Sequence, residues 1–438
     1  MKMLRKPAAS ALPWVAGGSS SRPRLGKPLL AKRPAGKEKN VRGPHQSCKR
    51  GAQLLVTRST SKPIVRKVPY TPPHQQSLKD KRDTRRATAK SSVRLQTILN
   101  MSQKNFIKFC LKTKWLRKHA QCFHCKQGAL TPFVTRKGRK LPQQRCKPKT
   151  RGSKTCRKYT YPHHGSPVFH VSDGSAAVEI QKQGGILHCA VWGVPQRLVS
   201  ALIEGVGEDA VTSGYKKWRC VVTAYVKANQ SKIKFGQMHI PAASDNVPVD
   251  EYEGDEAVFR KRPIGKKKVR WLEGVGLKRR GDRKSLVVKS RAKKHSVSAR
   301  AENGRAVPPP YTADEWSKMN AKHIGKHALG HFDGAPAYKK QRRGQLRDAV
   351  PHSGPNKCYT KTYAHRDCNG KTFKAVGGTQ SLDGWWGHAK KAVSSVNARF
   401  EGEVWNRVHE EQWQHWCGNE DRWIAAGRVL EWAATELK

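Results

Sequence analysis

Two groups of residues have the types and spacing that chemistry needs. The first is Cys122-Phe-His-Cys125, followed by Cys146 and Cys156. A two-residue gap lets both sulfurs of a knuckle face one ion, and four thiolates in two pairs can surround a tetrahedral zinc. The second pair is wider than a knuckle usually allows, so 147–155 reads as an insertion. His124, His163, His164 and His170 stand by as alternative ligands. The second group is three carboxylates set near element boundaries: Asp250, Asp333 and Asp383. Oxygen ligands of this kind suit Mg²⁺ or Mn²⁺. Taken singly, each also has an ordinary reading, as a strand-edge charge, a helix cap and a helix N-terminal acid respectively.

The elements that must hold these residues can be read from periodicity. A short helix is expected over 92–110, ahead of the Cys-rich segment. From Ile186 the pattern turns helical, and Leu198, Val199, Leu202, Ile203 and Val206 recur at steps of three and four. Gly205 and Gly207 suit the end of that helix, and a second follows through Val211, Tyr215, Trp218 and Val222. The outline fits a helix-turn-helix or an ordinary helical hairpin. Strands are expected over 247–252, 257–262, 269–277 and 285–288. Alternation in the first puts Glu251 on the face opposite Asp250. A helix capped by Thr312 comes next, then a strand over 327–333, a helix from Pro336, a short strand over 349–352 and a loop to Thr379. Long helices begin near Gln380. Strands followed by alternating helix and strand imply a mixed α/β sheet.

Order and spacing together resemble a known family. Val249-Asp250-Glu251, Phe332-Asp333-Gly-Ala-Pro-Ala-Tyr338, Val350-Pro-His352 and Gly378-Thr-Gln-Ser-Leu-Asp383-Gly-Trp-Trp-Gly-His-Ala-Lys390 resemble the Merlin superfamily of DNA transposons and related bacterial insertion-sequence transposases. Trp405, His409, Trp413 and Trp416 look like that family's last helix. The resemblance covers about residues 115–420. It implies a zinc ribbon over 115–170, a helical linker over 186–230 and an RNase H-like catalytic domain over 245–420, with a C-terminal helix over 421–438. It also implies a DDE or DDD triad, Asp250, Asp333 and Asp383, that holds two divalent ions for phosphodiester cleavage and transfer. The usual third carboxylate of the family is Glu, and here it is Asp383. Lys390, two helical turns on, and His352 are further candidates for contact with DNA.

Charge agrees with a polyanionic partner. Lys and Arg number 88 against 31 Asp and Glu, a formal net charge of +57, and such an excess repels itself unless it is matched. Between Met1 and Ser172 the carboxylates are Glu38, Asp80 and Asp83 alone. Residues 1–95 are basic and poor in clustered apolar residues, so a disordered arm is expected there. Residues 1–37, with Arg and Ser and no acid, also suit an organelle transit peptide. No run of eighteen apolar residues offers a membrane span. The expected partners are double-stranded DNA, as transposon ends and target, and further copies of the chain; the expected compartment is the nucleus. Two other readings compete: a domesticated transposase that binds DNA without cutting it, and a basic structural or RNA-binding protein.

Overall fold

The structure is a computed structural model. It describes residues 92–437 apart from 135–142, 148–155, 157, 171–177, 237–248, 265–267, 292–293, 298–307, 353–357, 367–369 and 371. Of the expected basic arm, only 92–95 falls within the described residues.

Two short helices come first, α1 (Leu95–Leu99) and α2 (Gln103–Lys112). The single helix expected here is divided at Ser102, whose extended backbone caps α2 and whose hydroxyl accepts the Asn105 N–H. A small antiparallel sheet follows, β1 (Ala129–Leu130), β2 (Gln144–Lys147) and β3 (Tyr159–Thr160), in that order. Then come α3 (Ile180–Val191), α4 (Gln196–Leu202) and α5 (Glu208–Gln230). Gly205 turns the chain between α4 and α5 in the left-handed region, at φ 71°. The long α5 buries Val211, Tyr215, Trp218, Val222 and Val226 along one face, as its 3.6-residue period dictates.

The larger sheet is built from β4 (Asp250–Ile264), β5 (Lys268–Arg279), β6 (Val287–Ser290), β7 (Lys294–Val297), β8 (Ala328–Phe332) and β9 (Leu346–Ala349). Its order is β6-β5-β4-β8-β9, with β7 also paired to β5. The pairs β4–β5 and β5–β6 are antiparallel, whereas β4–β8 and β8–β9 are parallel. The fold is therefore α/β with a mixed sheet flanked by helices. The helix α6 (Ala313–His323) crosses between β7 and β8, and Thr312 caps it in a capping box with Glu315. A hairpin, β10 (Lys361–Arg366) and β11 (Thr372–Gly377), leads into α7 (Gln380–Val393), α8 (Glu401–Cys417) and α9 (Arg422–Glu436).

Three further expectations differ from what is observed. The strands expected over 247–252 and 257–262 are one strand of 15 residues, because Gly254 continues the ladder opposite Leu277 instead of turning. The helix expected from Pro336 is one 3-10 turn over Pro336–Lys339. The loop expected up to Thr379 contains the β10–β11 hairpin.

Three large cores among the described residues position these elements, one of them packing Trp316 and Met319 of α6 on Tyr252, Leu277 and Phe332 of the sheet. A second gathers Phe106, Trp115, Leu187, Trp218, Trp413 and Trp423 from helices before and after the sheet. The third seats Trp385, Trp386, Ala389 and Val393 of α7 with Val404 and Val408 of α8 on the sheet residues Phe259 and Leu272. Among the described residues, no helix is long and apolar enough to cross a membrane.

Candidate metal centres

In the small sheet, β2 carries Cys146 while the turn before β1 carries Cys122 and Cys125. The four sulfurs of Cys122, Cys125, Cys146 and Cys156 lie within 4.8 Å of one another. Cys122 Sγ is 3.4 Å from Cys156 Sγ, and Cys125 Sγ is 3.6 Å from Cys146 Sγ. Four thiolates about 2.3 Å from a tetrahedral zinc would be separated by about 3.8 Å, so the cluster fits that ion. Cys156 completes the group. The alternative ligands instead pack on each other, with the rings of His124 and His164 5.3 Å apart.

The backbone is shaped to the same end. Lys126 takes φ 59°, and the Gly128 N–H donates to Cys125 Sγ at 3.3 Å. A Cβ on Gly128 would lie 2.1 Å from Cys146 Sγ, so only glycine fits there. Amide N–H groups of Gln127 and Gly128 bring the Cys125 thiol down to about 6. Burial, together with the crowding sulfurs, pushes Cys146 up to about 12. Sulfurs this close share protons in the absence of a cation, and a cation would displace those protons.

The second centre lies across the larger sheet. The carboxylates of Asp255, Glu256 and Asp333 offer oxygens within 4.8 Å of one another. Register explains the meeting. Parallel pairing sets Asp250 beside Ala328 and Glu253 beside His331, so two residues further along Asp255 comes level with Asp333. Burial, then the charges of Asp383, Asp333 and Glu256, push Asp255 up to about 8. Burial and the Asp333 charge push Glu256 up to about 7. Asp255 Oδ2 accepts the Trp386 Nε1–H at 3.0 Å. Glu256 Oε1 is buried with no hydrogen-bond partner among the described residues. Crowded carboxylates with an unused buried oxygen fit a hard divalent cation held by oxygen ligands.

Asp383 is not one of the three carboxylates within 4.8 Å of one another. It is exposed in the first turn of α7, its charge is felt at Asp255, and the Thr379 hydroxyl donates to its Oδ2 at 2.9 Å. The start of that helix is clamped to the sheet. Glu253 Oε2 accepts the Leu382 N–H at 2.7 Å, and Arg280 Nε donates to Glu253 Oε1 at 3.2 Å. Arg280 also donates to the Gly378 carbonyl at 2.6 Å.

The structure does not bring Asp250 to this centre. Asp250 is buried at the start of β4, where Arg279 Nε donates to Oδ1 at 2.6 Å and Arg279 Nη2 to Oδ2 at 3.0 Å. The Gly236 N–H adds a third bond at 2.7 Å. Five residues of strand, about 16 Å at roughly 3.3 Å each, separate it from Asp255. The dipeptide Asp-Glu occurs twice in β4, at 250–251 and again at 255–256. Motif matching takes the first occurrence, and only the pairing with β8 distinguishes them. Counting back along two parallel strands to the level of Asp333 is the signal that finds Asp255.

The remaining candidates are scattered. Lys390 is exposed on α7, one turn past the buried Trp386 and two turns past Asp383. His352 lies just past β9, its ring 5.7 Å from that of Tyr359. Glu251, expected to face away from Asp250, lies 3.6 Å from Arg280 and 3.8 Å from His331.

No model of a known family, no curated protein and no solved structure matches this chain.

Proposed function

We propose that this chain is a metal-dependent DNA transposase of the Merlin kind, with an RNase H-like catalytic domain and a zinc ribbon. The observation that carries the reading is the convergence of Asp255, Glu256 and Asp333 from adjacent parallel strands, with the Asp383 charge felt at Asp255. A mixed α/β sheet ending in these carboxylates is the arrangement that the family resemblance implies. In this reading Asp255, Asp333 and Asp383 form the triad, Glu256 is a fourth candidate, and Asp250 is a structural ion-pair partner.

Divalent ions bound there would activate an attacking oxygen and stabilise the leaving one in an in-line displacement at phosphorus. The protein's own contribution is positional. Trp386 fixes one Asp255 oxygen. The Ala335 N–H does the same for Asp333 Oδ1 at 3.0 Å. The Glu253–Arg280 pair sets where α7 begins, and hence where Asp383 stands. Zinc on the four cysteines would rigidify the small sheet for DNA contact. A net charge of +57 supports DNA as partner, with the nucleus as compartment and self-association on paired transposon ends.

The test is strand nicking on DNA bearing the terminal repeats, with Mn²⁺ or Mg²⁺. Asp255→Ala, Asp333→Ala and Asp383→Ala should each lower nicking by several orders of magnitude and leave DNA binding intact, with non-additive doubles. Asp250→Asn should lower stability more than turnover per folded molecule. Nicking that survives Asp255→Ala at the parent rate overturns the assignment. A parent that binds the repeats but never nicks them supports the domesticated DNA-binding reading instead.

A further inference from the structure

At the far end of β4 the strand leaves the core. Its register shifts between Val258 and Arg260, and such a bulge bends the strand and re-aims its side chains. Beyond it, Arg260, Lys261 and Arg262 line a cavity of about 730 Å³, whose other wall is the turn after α7, with Ser395, Asn397 and Arg399. Four cations face this space, and no carboxylate lines it. Among the described residues none of the four has an ion pair. Glu401, two residues past Arg399, is already taken by Arg270.

We propose that this groove binds the sugar–phosphate backbone of DNA. Like charges gathered around one open cavity repel each other and are relieved by an anion between them. Three guanidinium groups supply forked donors that match phosphate oxygens. Ser395 and Asn397 add neutral polar groups of the kind that position phosphates without reading bases. Along β4 the groove lies about 16 to 23 Å from Asp255, at roughly 3.3 Å per residue. That offset makes it a holding site for the strand flanking the reacting phosphate. The inference rests on the proposed function and extends it to where the DNA lies.

The experiment measures DNA affinity against salt without added Mg²⁺ or Mn²⁺, so that it does not depend on cleavage. The full-length triple variant Arg260→Gln, Arg262→Gln, Arg399→Gln should flatten the slope of log affinity against log salt by about 2 to 3, at about 0.9 for each phosphate no longer neutralised. The matching Arg→Lys triple should keep the parent slope. A photoreactive side chain in place of Ser395 should cross-link to DNA, whereas one in place of the exposed Leu437 should not. An unchanged slope in the Gln triple, or no cross-link from position 395, overturns the proposal. If that happens while the parent still nicks DNA with metal, the carboxylate assignment stands and the groove alone is lost. A parent with no DNA affinity removes both. A loss of binding to anionic vesicles in the Gln triple, with the DNA slope unchanged, would make the partner a membrane surface.

Discussion

Asp255 combines burial with the crowding of neighbouring carboxylates. Its carboxyl is pushed up to about 8 by burial and by the charges of Asp383, Asp333 and Glu256, against an ordinary value of about 3.9. A folded-state value above the unfolded one favours the protonated form. Its contribution to stability is therefore complete below about pH 4 and is lost as pH rises through about 8. A bound divalent ion takes the proton's place, so affinity for Mn²⁺ should climb with pH across that window. The metal-free parent should lose thermal stability as pH rises from about 4 to about 8 and level off above that, and Mn²⁺ should restore it. Asp255→Asn should weaken both effects and leave the part that belongs to Glu256, itself pushed up to about 7. Parallel melting-temperature profiles for parent and variant over that range would count against the shift and against the ligand role. The same residue marks the limit of sequence reading. Asp333 and Asp383 are legible because each sits at an element boundary, but Asp255 shares its dipeptide with Asp250, and choosing between them needs a strand pairing.

Elements with strong local signals are readable from the sequence. The periods of α5 and α7, the Thr312 cap and the Pro and Gly stops all appear where their residues dictate. The β10–β11 hairpin does not declare itself, since β10 reads Lys-Thr-Tyr-Ala-His-Arg and is largely exposed along its length, leaving no apolar alternation to find. The small three-stranded sheet is legible only through its cysteines. With strands of two, four and two residues, it has little apolar surface to bury, and folding there should depend on the metal. About one zinc per chain is expected by elemental analysis of protein purified without chelators. Cys146→Ser should lose it and Cys189→Ser should keep it, because Cys189 is buried in α3, in the helical core. Chelation should open 122–170 to proteolysis while the larger sheet stays resistant. A zinc-free protein with a protected 122–170 segment would refute the assignment.

On the scale of the whole molecule, the helices that precede the sheet and those that follow it share one core. Trp115 stacks on Trp423 with ring centroids 3.6 Å apart, and the Trp115 Nε1–H donates to the Trp423 carbonyl at 2.9 Å. Arg219 of α5 is buried against Glu403 and Glu410 of α8, at 2.6 and 3.0 Å. The approach is closest at Gly427, where an added Cβ would lie 2.2 Å from the Thr113 carbonyl oxygen and 3.3 Å from Trp115. Gly427→Ala should therefore cost about 1–3 kcal/mol through forced overlap, read as a lower urea midpoint. An unchanged midpoint would mean that the helices part freely at this point. Stability of the cysteine-bearing half is thus tied to residues more than 300 positions away along the chain.

That closure has a bearing on how such a chain can change over generations. A transposase gene can be pictured as a DNA-reading cassette joined to a cutting cassette, each free to be swapped. In the proposed reading, the described residues of the first cassette supply no lid of their own. Its apolar face, with Phe106, Trp115 and Trp218, is roofed by Trp413, Trp423 and Leu430 from the last helices. A gene fusion that captured only residues up to 230 would inherit that face bare, and a frameshift near the end would strip it from an otherwise intact reader. On the proposed function, the DNA-reading part can be handed on only with its distant tail, so descendants that retain binding are expected to retain the sheet between them, whether or not it cuts.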